Sequence, residues 1–159
     1  ETGAIAEYLC ERFSPDRLGR MPGAPDRMAW LVWIHFAETV SQHCAALTQQ
    51  HVALRDDSMR SPIVMKLEAA RLMKCYDAIE ARLGGGILSQ DYLLMSGFTA
   101  ADVNVGQAVY MAQHFAKLDN HPNVAAWYAR ITDREAFQLS LPKDVPLFDR
   151  TFYDPWPVE

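Results

Sequence analysis

The chain has 159 residues, half of them hydrophobic and 22% charged, with a net charge of -5. That is one globular domain's worth of core; the acidic balance argues against a nucleic-acid surface, which needs clustered Lys and Arg. No apolar run is long enough to span a membrane, and no basic-then-apolar leader is visible. Cys10, Cys44 and Cys75 are far apart and match neither a zinc pattern nor a disulfide framework, so no metal is expected and a reducing cytoplasm is the simplest location. Because the chain opens on Glu1-Thr2-Gly3 rather than Met, it reads as the C-terminal part of something longer.

Thr2 is placed to cap a first helix running to Phe13, with Ala4, Ile5, Tyr8 and Leu9 as its apolar positions. Residues 14–25 contain three prolines and two glycines and read as a surface linker. Asp26 is the expected cap of a long helix whose stripe is Trp30, Trp33, Ile34, Ala37, Val40, Cys44 and Leu47. The pattern frays through Leu54 into a polar corner at 55–58. Ser61-Pro62 opens the next helix, with Ser at the cap and Pro at its first position. Met65, Ala69, Leu72, Tyr76, Ile79 and Leu83 line one face, and Gly84-Gly85-Gly86 stops it. Residues 87–97 form a short loop with Leu93 and Leu94 as anchors.

Phe98-Thr99-Ala100-Ala101-Asp102-Val103 is the strongest local signal. Thr99 and Asp102 have capping-box spacing, with Phe98 and Val103 as a hydrophobic staple. Both polar residues are assigned to structure. From Val103 to Ala116 there is no charge, so this helix is expected to be central and buried. Residues 120–123 break the chain before a single-face stripe of Val124, Trp127, Tyr128 and Ile131. A short helix from Thr132 or Asp133 through Phe137 is expected, ended by Pro142. The expectation is an all-α bundle of five to seven helices over 1–141, and an extended aromatic tail over 142–159.

Three stretches, in order, resemble one family. Glu1-Thr2-Gly3-Ala4-Ile5-Ala6-Glu7-Tyr8-Leu9 resembles the junction motif of cytosolic glutathione transferases, Phe98 to Asp102 the capping box of their helical domain, and His121-Pro122-Asn123-Val124 with Trp127 the next helix of bacterial members. The resemblance spans residues 1 to about 140. It implies the C-terminal helical domain of a homodimeric detoxifying enzyme that conjugates reduced glutathione to a hydrophobic electrophile. Dimer contacts would come from the long helix and the one after it.

Glu1 and Thr2 would then hold the γ-glutamyl end of glutathione, an assignment consistent with the anion preference of a helix N-terminus. The group that stabilises the thiolate would lie upstream of Glu1, so this stretch alone does not carry the reaction. Candidates for the electrophile pocket are Trp33, Gln42 and His43 on the long helix, and Phe152, Tyr153 and Trp156 in the tail. Each has a plainer reading: aromatics on a helical stripe also suit a core, and the tail can either lid a pocket or pack down. Family members often reach the partner's glutathione with a polar side chain early in the long helix. Between Met28 and Ile34 there is none, though Asp26 or Arg27 can substitute. Two alternatives stay open: a non-catalytic protein-interaction module, and another glutathione-dependent enzyme on this fold, such as an isomerase, dehalogenase, reductase or ether-cleaving lyase.

Overall fold

The computed structural model describes residues 1–85, 90–143, 148 and 150–153. Among the described residues six α-helices follow in order: α1 Thr2–Phe13, α2 Arg27–Thr48, α3 Pro62–Gly84, α4 Ala100–Ala112, α5 Pro122–Thr132 and α6 Glu135–Ser140. No strand occurs among the described residues. α4 packs along α2, α2 against α3, and α3 against α5; α1 lies on α2 and α4.

The stripe expected on α2 is the core: Trp30, Ile34, Ala37, Val40, Cys44 and Leu47 are all buried. Trp33 is half-buried at its edge. Beyond Thr48 the helix widens into a π turn, Gln49–Ala53, closed by Leu54 N–H donating to Gln49 C=O at 3.0 Å. Asp26 precedes α2, but its side chain caps nothing. Its carboxylate instead accepts from Arg20 Nε at 3.0 Å and from the Ser96 hydroxyl. Burial alone would raise this carboxyl, but the Ser96 and Arg20 hydrogen bonds outweigh it and hold it below the usual range. The linker therefore departs from its expected surface course. Gly19 and Arg20 are buried, Trp30 Nε1 donates to Leu18 C=O at 2.9 Å, and Ala100 N–H donates to the same carbonyl at 3.0 Å.

Ser61 caps α3 as expected, accepting from Val64 N–H at 3.3 Å, with Pro62 at the first position. Its apolar face is buried at Met65, Leu72, Tyr76, Ile79 and Leu83. At Gly85 a Cβ would sit 2.2 Å from Ala81 C=O, so only glycine follows the helix there. Gly86 and residues 87–89 lie outside the described residues; Leu93 and Leu94 are buried anchors.

The α4 capping box is closed. Thr99 Oγ1 accepts from Ala101 N–H at 3.2 Å, and Asp102 Oδ2 accepts from Thr99 N–H at 2.9 Å. Asp102 Oδ1 accepts twice more, from Leu93 N–H and from Trp127 Nε1, both at 2.9 Å. Burial pushes this carboxyl above its ordinary value, and the three N–H donors pull it part of the way back. Val103, expected as one side of the staple, is 50% exposed. α4 also ends at Ala112 rather than near Ala116. His114 N–H and Phe115 N–H turn to carbonyls three residues back, tightening the chain into turns.

α5 has no cap on its own N-cap residue, His121. Glu80 of α3 supplies it: its carboxylate accepts from Asn123 N–H at 3.2 Å, Asn123 Nδ2 at 2.6 Å and Val124 N–H at 2.9 Å. α6 starts later than expected, at Glu135, behind an extended Arg134. Among the described tail residues, 142, 143, 148 and 150–153, no helix occurs. Phe152 N–H donates to His114 C=O at 2.7 Å, and its ring stacks on Phe115 at 5.5 Å.

Candidate functional site

The N-terminus of α1 is where the proposed ligand residues stand. Glu1, not Thr2, is the N-cap residue, and no side chain caps the helix. The reason lies across the helix pair: the Thr2 hydroxyl donates to the Glu38 carboxylate of α2. A second tie joins Glu7 to His35 Nε2 at 2.7 Å. Gly3 makes this approach feasible, because a Cβ there would sit 3.0 Å from His35 Nδ1. Glu1 and Thr2 are exposed, beside the middle of α2.

α1 also turns an apolar face outward. Ile5, Tyr8, Leu9 and Phe13, at helical spacing, are 47–71% exposed. The helix thus buries Gly3 and Cys10 on one side and leaves a hydrophobic stripe uncovered on the other.

The pocket candidates fall in separate places. At ~100° per residue, His35, Glu38 and Gln42 share the flank of α2 that meets α1. Trp33 and His43 share the opposite flank. There His43 Nδ1 is 2.7 Å from Glu68 of α3, whose other oxygen pairs with Arg71. Trp33 sits edge-on to Phe36, centroids 5.1 Å apart. Phe152 lies 4.9 Å from the ring of His51, thirteen residues and so ~20 Å along the helix direction from Glu38. Tyr153 stands under Lys117, whose Nζ is 5.0 Å from its centroid. Trp156 lies outside the described residues.

Glu68 has a buried, doubly paired carboxylate. Burial raises its pKa, but the His43 and Arg71 contacts outweigh that and leave it below the ordinary 4.5. A lowered folded-state value means stability that is present above the unfolded value and lost as pH falls through the folded one. Wild type should therefore be more stable than Glu68→Gln at pH 7, with the gap narrowing as the pH falls below 4.5. Urea denaturation of both proteins along a descending pH series from pH 7 checks this; a gap that does not narrow as the pH falls refutes it.

None of the three cysteines offers a thiolate. All are buried, and burial raises each, Cys44 to about 12. Among the described residues, no group of three or more His, Cys, Asp or Glu is placed to hold a metal ion, and no helix is long and apolar enough to cross a membrane.

The family model described as "Glutathione S-transferase, C-terminal domain" matches residues 49–130, slightly more than half of the chain. The chain belongs to that family. Its fold is shared by solved glutathione transferases. URE2P8 from Phanerochaete chrysosporium, with oxidized glutathione, superposes with a TM-score of 0.75 at 18% identity, covering 87% of this chain and 62% of that one. Ure2p5 from the same fungus, cocrystallized with 1-(S-glutathionyl)-2,4-dinitrobenzene, gives 0.73 at 17%, covering 87% and 65%. The bacterial transferase BphK gives 0.70 at 19%, covering 87% and 64%. The chain thus spans under two thirds of the length of these three structures. No curated protein matches it.

Within this transferase-family domain, sequence reasoning named Glu1, Thr2, Trp33, Gln42 and His43 but missed Glu38, Glu68 and Glu80. Each missed carboxylate acts on another helix, so no local spacing marks it. The Glu7–His35 contact that ties α1 to this flank of α2 joins residues 28 apart, so no local spacing marks it either.

Proposed function

We propose that this domain is the helical part of a glutathione transferase that conjugates reduced glutathione to a hydrophobic electrophile. The observation that carries the reading is the Glu1-Thr2 opening of α1, exposed beside α2 in a chain of this family. The ligand's γ-glutamyl carboxylate takes the Thr2 hydroxyl from Glu38, and Glu1 meets its ammonium group. The uncovered stripe Ile5, Tyr8, Leu9 and Phe13 packs on a thioredoxin-like domain, which supplies the thiolate-stabilising group. Lowering the thiol pKa makes thiolate, the nucleophile, abundant at neutral pH.

The helical domain covers 1–141 and the tail 142–159. Of the electrophile contacts expected from the sequence, Gln42 is kept as the proposed one, because it shares the flank of α2 with Glu38 beside Thr2, whereas Trp33 and His43 lie on the opposite flank and Phe152 and Tyr153 near His51 and Lys117; the dinitrobenzene conjugate on Ure2p5 supplies the model electrophile class. The homodimer forms through α2 and α3, where Met28, Val32, Ile63 and Leu67 are exposed. In this reading the protein works in the cytoplasm.

Glutathione should raise the melting temperature of the intact protein, since a ligand that binds only the folded form stabilises it. Conjugation of 1-chloro-2,4-dinitrobenzene should follow by absorbance. Thr2→Val should weaken glutathione on the order of tenfold, one hydrogen bond to a charged group. No thermal shift at millimolar glutathione sinks the reading in favour of an interaction module.

A further inference from the structure

The chain carries a net charge of -5, yet the far end of α2 opens on a cleft that positive charge dominates. The π turn and the loop to Arg60 form one side of it and tail residues the other, around a volume of about 360 Å³. His51, Arg55, Arg60 and Arg150 line it together with Phe148 and Phe152, and none of the described lining residues is a carboxylate.

These basic groups are committed to different degrees. Arg60 is fixed, its Nε donating to Leu54 C=O at 2.9 Å and its Nη1 pairing with Asp57 at 3.3 Å, with only 9% of the side chain exposed. Arg55 and Arg150 are exposed, and among the described residues neither side chain forms an ion pair or a hydrogen bond. Arg150 lies 4.9 Å over the centroid of Phe152, a contact that uses the face of the guanidinium and leaves its N–H edge to donate. His51 is buried against the rings of Phe152 and Phe115, and its ring nitrogens meet no hydrogen-bond partner among the described residues.

Burial, then the Arg60 and Arg150 charges, hold His51 below its ordinary value, so at neutral pH its imidazole is uncharged. Lys66 of α3 borders the same ring from a neighbouring cleft. The acids of the adjoining loop are already engaged: Asp57 pairs with Arg60, and Asp56 accepts from the Ser58 N–H and hydroxyl. Two guanidinium edges with unused donors, a third held in place and an imidazole able to donate suit a compact oxyanion of two charges.

We propose that this cleft binds a phosphate dianion, as the free ion or as the terminal group of a small phosphate ester, with Arg55 and Arg150 donating to its oxygens beside His51. The site is independent of the glutathione reading, since His51 lies thirteen residues, or ~20 Å along the helix direction, from Glu38.

The test is isothermal titration of the intact protein with inorganic phosphate, with phenyl phosphate, and with acetate as a monoanion. Phosphate should bind saturably and more tightly than acetate, and Arg55→Met or Arg150→Met should each weaken it on the order of tenfold while circular dichroism stays native. Side-chain NMR should show phosphate raising the His51 pKa, because a bound dianion favours the imidazolium. Phenyl phosphate binding no better than phosphate assigns the site to the free ion; tighter binding assigns it to an ester. Saturating glutathione should leave the phosphate affinity unchanged. The proposal is overturned by absence of saturable binding, by equal affinity for acetate, by affinity unchanged in both arginine variants, by an unmoved His51 pKa, or by displacement with glutathione.

Discussion

Replacing Asp102 with Ala should cost this domain about 3–5 kcal/mol. The carboxylate is the common acceptor for Leu93 N–H, Thr99 N–H and Trp127 Nε1–H, and all three donors are buried with it. An orphaned buried donor costs about 1–3 kcal/mol, and three are created at once. Removing the charge recovers part of that, because burial already disfavours ionised Asp102. The net loss is a large share of the ~5–15 kcal/mol by which domains are stable. Asp102→Asn keeps one acceptor oxygen and should lose about half as much. Urea unfolding of the three proteins gives the comparison; a loss below ~1 kcal/mol for Ala would show that the hub is dispensable.

Glu80→Ala should be the next most damaging change, at about 2–3 kcal/mol. It removes the acceptor for two backbone N–H groups and the Asn123 amide at the start of α5. Losing an ordinary side-chain cap costs ~0.5–2 kcal/mol, and here a charged acceptor serves three donors. Hydrogen exchange localises the effect: amides of Pro122–Thr132 should lose protection before those of α2. Uniform loss across both helices would mean that α5 is not a separately opening unit.

Asp102 and Glu80 also separate what is legible in a sequence from what is not. The Thr99–Asp102 box is local, three residues wide, and it sits on a boundary between polar and apolar runs. That is why residue spacing finds it. Glu80 stands 43 and 44 positions before its partners Asn123 and Val124, on a helix where acidic residues are routine, and nothing marks it as a cap. Asp26 fails in the opposite direction: its position fits a cap, yet Arg20 and Ser96 compete for it and win. The same competition took Thr2, whose hydroxyl reaches Glu38 instead of capping α1. Apolar periodicity located every long helix because burial acts on whole faces. The Glu1-Thr2 pair was readable only through resemblance, since a hydroxyl at a helix start looks alike whether it meets a ligand or a neighbouring carboxylate.

The remote cap on α5 also bears on how the chain acquires its shape. α5 has eleven residues, too few for an isolated helix to persist in water. Its cap belongs to α3, and its Trp127 is anchored by Asp102 of α4. As the chain leaves the ribosome, α5 arrives after both, and it finds its acceptors already in place. It would form by docking onto an assembled surface rather than by nucleating itself. A shortened chain that ends before α5 would leave the Glu80 carboxylate without its Asn123 and Val124 donors, and Asp102 without Trp127 Nε1.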